Sequence, residues 1–207
     1  STIMKHVLIT GAHGDLGKEL ANQFTAAGWD TSAPGRAELD VTSLASIDQH
    51  LASLPRLDVV VANAGVIRDS ALASMSGDDF TAVLAVNLRG SFLCAREAIR
   101  HFLREEKAGA IVNVSSVHQL IPKPNYLGYS TSKGGMQNLT RTLALEYAGR
   151  GIRVNGVGPG ATVTPINRAW IDDPVKRQAV EDHIPMRRAG EADEMAGVTC
   201  FLASDLA

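Results

Sequence analysis

The sequence predicts an α/β fold, a doubly wound parallel sheet flanked by helices, in a single domain of 207 residues. Three observations predict it. Segments of strand length recur at residues 3–10, 57–62, 110–114 and 152–157, and the apolar run at 57–62 is too continuous for a half-exposed antiparallel strand. Segments with helical spacing of apolar residues lie between them. The first apolar run leads at once into a glycine-rich turn and a helix. Strand and helix alternate without repeat, linker or low-complexity stretch, the pattern of a layered βαβ chain.

Composition narrows the function. A net charge of -2 implies no broad electrostatic affinity for nucleic acid or for an anionic membrane. No apolar run is long enough to span a bilayer and no signal peptide is recognisable, so a cytoplasmic protein is expected. Cys94 and Cys200 each sit among apolar residues and read as small buried hydrophobes, not as a disulfide framework or a metal cluster. No metal is expected.

Residues 3–10 (IMKHVLIT) read as a buried strand. The turn Gly11-Ala12-His13-Gly14-Asp15-Leu16-Gly17 follows, then an amphipathic helix over 18–27 ended by Gly28. Strand, glycine turn and helix are the setting of a dinucleotide-binding fingerprint. Gly11 allows the tight turn, Gly14 the close approach of backbone to a pyrophosphate, and Gly17 close packing of helix on strand. The helix N-terminus adds N–H groups and a positive dipole. The spacing is G-x-x-G-x-x-G, and Asp15 stands at the phosphate turn, where its ordinary role is a charge at a helix start. A triphosphate-binding P-loop is disfavoured, because Gly17-Lys18 is followed by Glu19 and not by Ser or Thr.

A second strand is expected near 29–33, ended by Pro34. Its end would sit over an adenosine ribose. The chain there reads Gly35-Arg36, with no carboxylate to repel a 2′-phosphate and with a planar guanidinium able to grip one. NADP is therefore favoured over NAD, although Arg36 reads equally as an exposed loop charge. Leu39-Asp40-Val41-Thr42 comes too soon for a crossover helix. The second and third strands are expected to be joined irregularly, with Asp40 near the adenine edge. A helix follows over 43–54, with Leu44, Ile47, Leu51 and Leu54 on one side, then a buried strand over 57–62. Asn63-Ala64-Gly65 stands at the cofactor-facing end of that strand; Gly permits close approach and Asn can tie neighbouring strands.

Ser76-x-x-Asp79 marks a helix start. A long helical run over 80–103 contains Asn87-Leu88-Arg89-Gly90, an interruption whose cost invites a kink or a buried water site. The strand over 110–114 leads to Ser116, whose hydroxyl is placed to face a ligand. Tyr129 and Lys133, four apart, share one face of a helix over 127–148. A neighbouring ammonium lowers a phenol from about 10 toward working pH, which makes an acid/base. This spacing alone arises often by chance, so its context decides. His118 lies on the substrate side, as a ligand for a polyol hydroxyl or as an ordinary loop histidine. Gly134-Gly135 implies close packing against a neighbour, another subunit included. Residues 152–157 read as a strand and 191–203 as a closing helix. Between them, 164–188, with Pro165, Pro174 and Pro185, reads as a lid-like insertion or a surface excursion.

TGAHGDLG, Asn63-Ala64-Gly65, Asn87-Leu88-Arg89-Gly90, Ser116, YSTSK and PGATVT, in that order and at these intervals, resemble the short-chain dehydrogenase/reductase family over nearly the whole chain. The second half, with SSVHQLIPKP and TLALEYAGRGIRVNGVGPGATVTPIN, is similar to bacterial glucose 1-dehydrogenases and also to 3-oxoacyl reductases. The resemblance implies a Rossmann-type sheet and hydride transfer between NAD(P) and a secondary alcohol or its carbonyl. A glucose-like sugar leads, and a 3-oxoacyl thioester or other small ketone follows. A cofactor-binding protein without turnover is the rival of another class. Tyr129 is implied as acid/base, Lys133 as its tuner and ribose ligand, Ser116 as the hydrogen-bond donor to substrate oxygen, and Asn87 as the holder of a relay water. Gly11, His13, Asp15, Leu16 and Gly17 are implied at the phosphates, and Arg36, Asp40, Val41, Asn63, Ala64 and Gly65 on the adenosine side. Pro159, Gly160, Thr162 and Thr164 are implied around the nicotinamide. A homo-oligomer, dimer or tetramer, is expected, acting on a small molecule. The chain stops at Ala207, where members of the family usually continue with a further strand and a glycine-rich tail, so a sheet without its last strand is expected.

Overall fold

The computed structural model describes residues 4–207. Five strands, β1 (His6–Ile9), β2 (Asp30–Ser32), β3 (Val59–Ala62), β4 (Gly109–Val114) and β5 (Ile152–Val157), form one parallel sheet in the order β2-β1-β3-β4-β5. Ile3, in the run expected as the first strand, lies outside the described residues. The register sets Val7 opposite Val59, Val59 opposite Ala110, and Ile111 opposite Val154. Successive strand side chains point to opposite faces, so this register keeps each face apolar. Leu8, Val60, Ile111 and Val154 face one core, covered by α2 (Leu44–Ser53), α4 (Ser91–Arg104) and α5 (Leu127–Tyr147). Val7, Ile9, Val59, Val61 and Val112 face the other, covered by α1 (Asp15–Ala26) and α8 (Ala192–Ala203). The unbroken apolar runs of the sequence are the mark of this burial on both faces.

The strand order reverses between β1 and β3. In an open parallel sheet the crevice at such a point, beyond the carboxyl ends of the strands, is the ligand site. Gly11 and Ala64 meet there. Gly11 has φ +62°, and a Cβ on it would fall 2.7 Å from the Ala64 Cα.

Four expectations are refined. The first helix starts at Asp15 and not at Lys18, so Asp15, Leu16 and Gly17 form its first turn. Leu39–Thr42 is not a strand. Leu39 and Val41 are buried in the core, while the Asp40 carboxylate accepts from the Thr42 amide at 2.9 Å and hydroxyl at 2.7 Å, which bends the chain. The long helical run is α3 (Gly77–Leu84), a π-helical segment Ala85–Gly90, and α4, so the Asn-to-Gly interruption is a widened turn within the run. Gly135 packs within this chain: a Cβ there would lie 2.8 Å from Leu88 Cδ2.

The excursion after β5 is tied at its base. Short strands β6 (Thr162–Val163) and β7 (Gly190–Glu191) pair in parallel, and α6 (Arg168–Ile171) and α7 (Pro174–Glu181) lie between them. At the return, Arg188 binds Glu194 through two nitrogens, at 2.7 and 2.8 Å.

Gly17 makes the tightest helix–turn contact of the nucleotide end. A Cβ there would fall 2.6 Å from the Ala12 Cα and from the Gly11 carbonyl oxygen. Gly17→Ala is expected to lower stability by about 1–3 kcal/mol in urea unfolding. Gly77→Ala, with nothing within 4 Å of its Cβ, is expected to change it little.

Candidate active site

Thr10, Gly11 and Asn63 fasten the β1 and β3 ends together. The Thr10 hydroxyl oxygen accepts from the amides of Asn63 at 3.1 Å and Ala64 at 3.2 Å. The Asn63 side-chain amide donates to the carbonyls of Thr10 and Gly11, both at 3.2 Å. The Asn63-Ala64-Gly65 tripeptide thus ties the strands as its residue types suggest.

A cavity of about 340 Å³ opens over this junction. One wall is the glycine turn and helix start, with Gly11, Gly14, Asp15, Leu16 and Gly17. The floor is Asn63, Ala64, Gly65 and Val66. The far wall is Arg36, Leu39, Asp40 and Val41, and Val86 and Thr164 complete it. Gly14 caps α1, and no side chain makes a capping hydrogen bond there. The first-turn amides are therefore free to face an anion. This uncapped helix start, with Gly11 and Gly14 facing the cavity, fits a pyrophosphate.

Not every expected cofactor residue reaches the cavity. His13 lies outside it and packs on Gly35, where a Cβ would fall 2.3 Å from the His13 Nδ1. Pro159 and Gly160 brace the turn after β4: the Val117 amide donates to the Pro159 carbonyl at 3.0 Å, and Gly160 lies against Val117. The Thr162 hydroxyl donates to the Gly160 carbonyl at 3.1 Å. Leu39, Val66 and Val86 line the cavity without having been foreseen, because in sequence they carry only the apolar signal of core residues.

The expectation that no carboxylate stands near Arg36 is corrected. Glu38 folds back so that its Oε2 accepts from the Gly35 amide at 2.6 Å. Asp40 shares the cavity wall with Arg36. The Thr42 hydroxyl and amide, with a smaller contribution from Arg36, hold the Asp40 carboxyl below its usual range. The cause is the shortened connection, which compresses residues 33–43 into turns.

Next to this cavity, beyond Gly65, stands the second group of residues. Ser116 is buried just past β4, and its Oγ accepts from the His118 amide at 3.1 Å. Tyr129 lies half-buried in the first turn of α5. Lys133 is 3% exposed, and its Nζ donates to the Val114 carbonyl at 2.9 Å. A Cβ on Gly65 would lie 3.5 Å from Asn87 Oδ1 and 3.7 Å from Lys133 Nζ, so Gly65 marks the junction between the cavity and these two side chains.

Electrostatics here differ from the sequence expectation. Burial raises the Tyr129 phenol above its usual value, the Ser116 hydroxyl offsets part of the rise, and Tyr126 adds to it. The Lys133 Nζ is 5.6 Å from the centroid of the Tyr129 ring and points to the β4 end. Burial lowers Lys133 itself to about 8.

Asn87, fully buried, accepts from the Val66 amide at 2.8 Å and donates to the Val66 carbonyl at 2.9 Å and to Ser132 Oγ at 3.1 Å. Ser132 in turn donates to the Tyr129 carbonyl at 2.6 Å. Asn87 therefore locks the floor of the cavity to the helix that carries Tyr129 and Lys133. Ser132 went unnoticed in sequence, although its place between those two residues was a signal. His118 Nδ1 donates to the Ile121 carbonyl at 2.9 Å. Its ring joins those of Tyr126 and Tyr129 in a cluster, at 5.5 and 6.3 Å. Among the described residues no group of three or more His, Cys, Asp or Glu is placed to hold a metal. No described helix is long and apolar enough to cross a membrane.

A phosphate-ready helix start and a buried Ser–Tyr–Lys group at one sheet edge have close counterparts. The family model described as enoyl-(acyl carrier protein) reductase matches residues 5–207. A glucose 1-dehydrogenase of Gluconobacter oxydans is 42% identical over 227 aligned positions, covering 97% of this chain and 85% of that protein. The crystal structure of a gluconate 5-dehydrogenase from Burkholderia cenocepacia with NADP and tartrate superposes with a TM-score of 0.85 at 29% identity, covering 97% and 88% of the two chains. A 3-ketoacyl-(acyl-carrier-protein) reductase from Brucella melitensis with NADH gives 0.88 at 27%, covering 97% and 91%. Sequence, fold and site geometry agree: the chain belongs to the short-chain dehydrogenase/reductase family of oxidoreductases.

Proposed function

We propose that this chain is an NAD(P)-dependent oxidoreductase that interconverts a secondary alcohol and its carbonyl. A glucose-like sugar is the favoured substrate and NADP the favoured nucleotide, with NAD accepted. The observation that carries this reading is buried Lys133 beside Gly65 at the cavity, with the Tyr129 ring near its Nζ and the Ser116 hydroxyl against the Tyr129 phenol. The similarity to a glucose 1-dehydrogenase supports the sugar, and the NADP and NADH in the neighbouring structures support the nucleotide pair.

A bound nicotinamide would supply the hydride chemistry. Amides of the Asp15–Gly17 turn would hold its phosphates, Arg36 and Asp40 would flank the adenosine, and Thr164 the nicotinamide end. Tyr129 Oη gives a proton to the carbonyl oxygen in reduction and takes it back in oxidation. The Ser116 hydroxyl donates to that same oxygen and steadies the charge developing there. The raised phenol keeps its proton at neutral pH, which suits reduction. Lys133 would hold the ribose hydroxyls of a bound nucleotide, and Asn87, besides its bracing, would keep a relay water near Lys133.

A 3-oxoacyl thioester is the second reading. It is favoured by the acyl-carrier reductase neighbour and by exposed Leu120 and Ile121 beside His118. Near-ultraviolet nicotinamide absorbance separates the two readings, with glucose plus NADP or NAD in one set and a 3-oxoacyl thioester mimic plus NADPH or NADH in the other. Turnover of glucose carries the first reading, and turnover of the thioester alone replaces it. Arg36→Ala is expected to weaken NADPH binding more than NADH binding in fluorescence titrations; an equal effect on both would remove Arg36 from nucleotide choice.

We further propose a single nucleotide-binding domain over 1–207, with 164–188 as its lid, working as a homo-oligomer in the cytoplasm. The apolar groove of Phe80, Leu84, Leu88, Phe92 and Leu139 supports self-association, which sedimentation reads directly. Two free cysteines suit a reducing compartment.

A further inference from the structure

Leu39, Asp40 and Val41 form one wall of the nucleotide cavity, yet no strand pairing holds this stretch in place. Among the described residues, the hydrogen bonds of residues 39–42 stay within residues 35–46, with one exception. Arg89 Nη1, from the π-helical segment Ala85–Gly90, donates to the Thr42 carbonyl at 3.0 Å. The next residue packs on the same wall: a Cβ on Gly90 would fall 2.7 Å from Val41 Cγ2. Thr42 in turn holds the Asp40 carboxylate, through its hydroxyl at 2.7 Å and its amide at 2.9 Å. Arg89, Thr42 and Asp40 therefore stand in a line that ends on the cavity wall. Arg89 itself lies outside the cavity, exposed beside the apolar groove of Leu84 and Leu88.

We propose that Arg89 is a positioning residue for nucleotide binding, which fixes the Asp40–Val41 wall from behind by way of Thr42. This rests on the nucleotide reading above, in which Asp40 flanks the adenosine. Bonds within one short turn leave that turn free to move as a unit, whereas a bond from a residue 47 positions away sets where it stands. A wall ordered before the ligand arrives spares binding the cost of ordering it. The same π-helical segment carries Val86 onto the cavity and braces Val66 through Asn87, so it supports the cavity from two sides.

The test is fluorescence titration of the intact chain with NADPH and NADH, and displacement of NADPH by ADP, the portion the two nucleotides share. The variants are Arg89→Met, Arg89→Lys, Thr42→Val and the Arg89→Met/Thr42→Val pair, with thermal melting alongside. Arg89→Met keeps a long apolar stem and loses the donor. It is expected to weaken NADPH, NADH and ADP by one common factor of roughly three to ten, the scale of a single hydrogen bond, with melting unchanged. Arg89→Lys, which keeps a donor, is expected to recover part of that loss. Thr42→Val removes the hydroxyl bond to Asp40, and the double variant is expected to lose less than the product of the two single losses, because both act on one line of contacts. Unchanged binding in Arg89→Met, or a loss for the dinucleotides that ADP does not share, overturns the role of Arg89. Independent losses in the double variant overturn the route through Thr42. Failure of wild type to bind either dinucleotide overturns the nucleotide reading itself, and this proposal with it.

Discussion

Tyr129→Phe is expected to lower turnover by roughly a thousandfold or more, the range for losing a positioned proton donor, while NADPH binding stays nearly unchanged. The phenol ring contributes to the cluster with His118 and Tyr126, which phenylalanine preserves. Only Oη is lost, and Oη is the atom facing the Ser116 hydroxyl. The measurement pairs steady-state nicotinamide absorbance with a fluorescence titration of NADPH. Equal turnover in wild type and variant would sink the assigned proton transfer. Wild-type binding with no turnover on any substrate would instead point to a nucleotide-binding protein without catalysis.

Lys133→Met is expected to separate function from stability. Burial lowers Lys133 from its ordinary 10.5 to about 8. Below pH 8 the folded chain carries a buried ammonium with one carbonyl partner, at a cost on the order of 3 kcal/mol. Between about 8 and 10.5 the folded state sheds its proton before the unfolded state does. The unfolded state then binds more protons, so stability rises with pH through this window and the cost is gone above it. Methionine fills the space without the charge but leaves the Val114 carbonyl without its donor. At pH 7 the variant is expected to be more stable by a net on the order of 2 kcal/mol. Its advantage should shrink to nothing or reverse by pH 10, and its turnover should fall. Urea unfolding across pH 6–10 reads the first and absorbance assays the second. A variant no more stable than wild type at pH 7 would show that the lysine lies charged without penalty.

Periodicity carried the layered sheet because it is a local property. A strand buried on both faces must be apolar throughout, and Val59–Ala62 announces that without reference to any other segment. Ser76 likewise announces a helix start, and its Oγ accepts from the Asp79 amide at 3.0 Å. Leu39–Thr42 misled for the same reason: two buried apolar residues in alternation look like a strand, and the Asp40–Thr42 bonds that bend them leave no periodic trace.

The sequence by itself determined the alternating α/β architecture, the phosphate turn at Gly11–Gly17, and the identity of Ser116, Tyr129 and Lys133 as a candidate acid/base group. The first two rest on residue type and spacing within neighbouring elements, and the third on several motifs held in order along the chain. Only the tertiary structure decided the electrostatics and the walls. The turning of Lys133 toward Val114 and the bracing of Val66 and Ser132 by Asn87 join residues 19 to 45 apart in the chain, and the burial of Tyr129 likewise depends on other segments. The return of Glu38 to Gly35 belongs with them: the residues are near in sequence, but the direction of the side chain is set by the compression of a connection between β2 and α2. A charge acts through space, and its neighbours in space are what a sequence does not spell out.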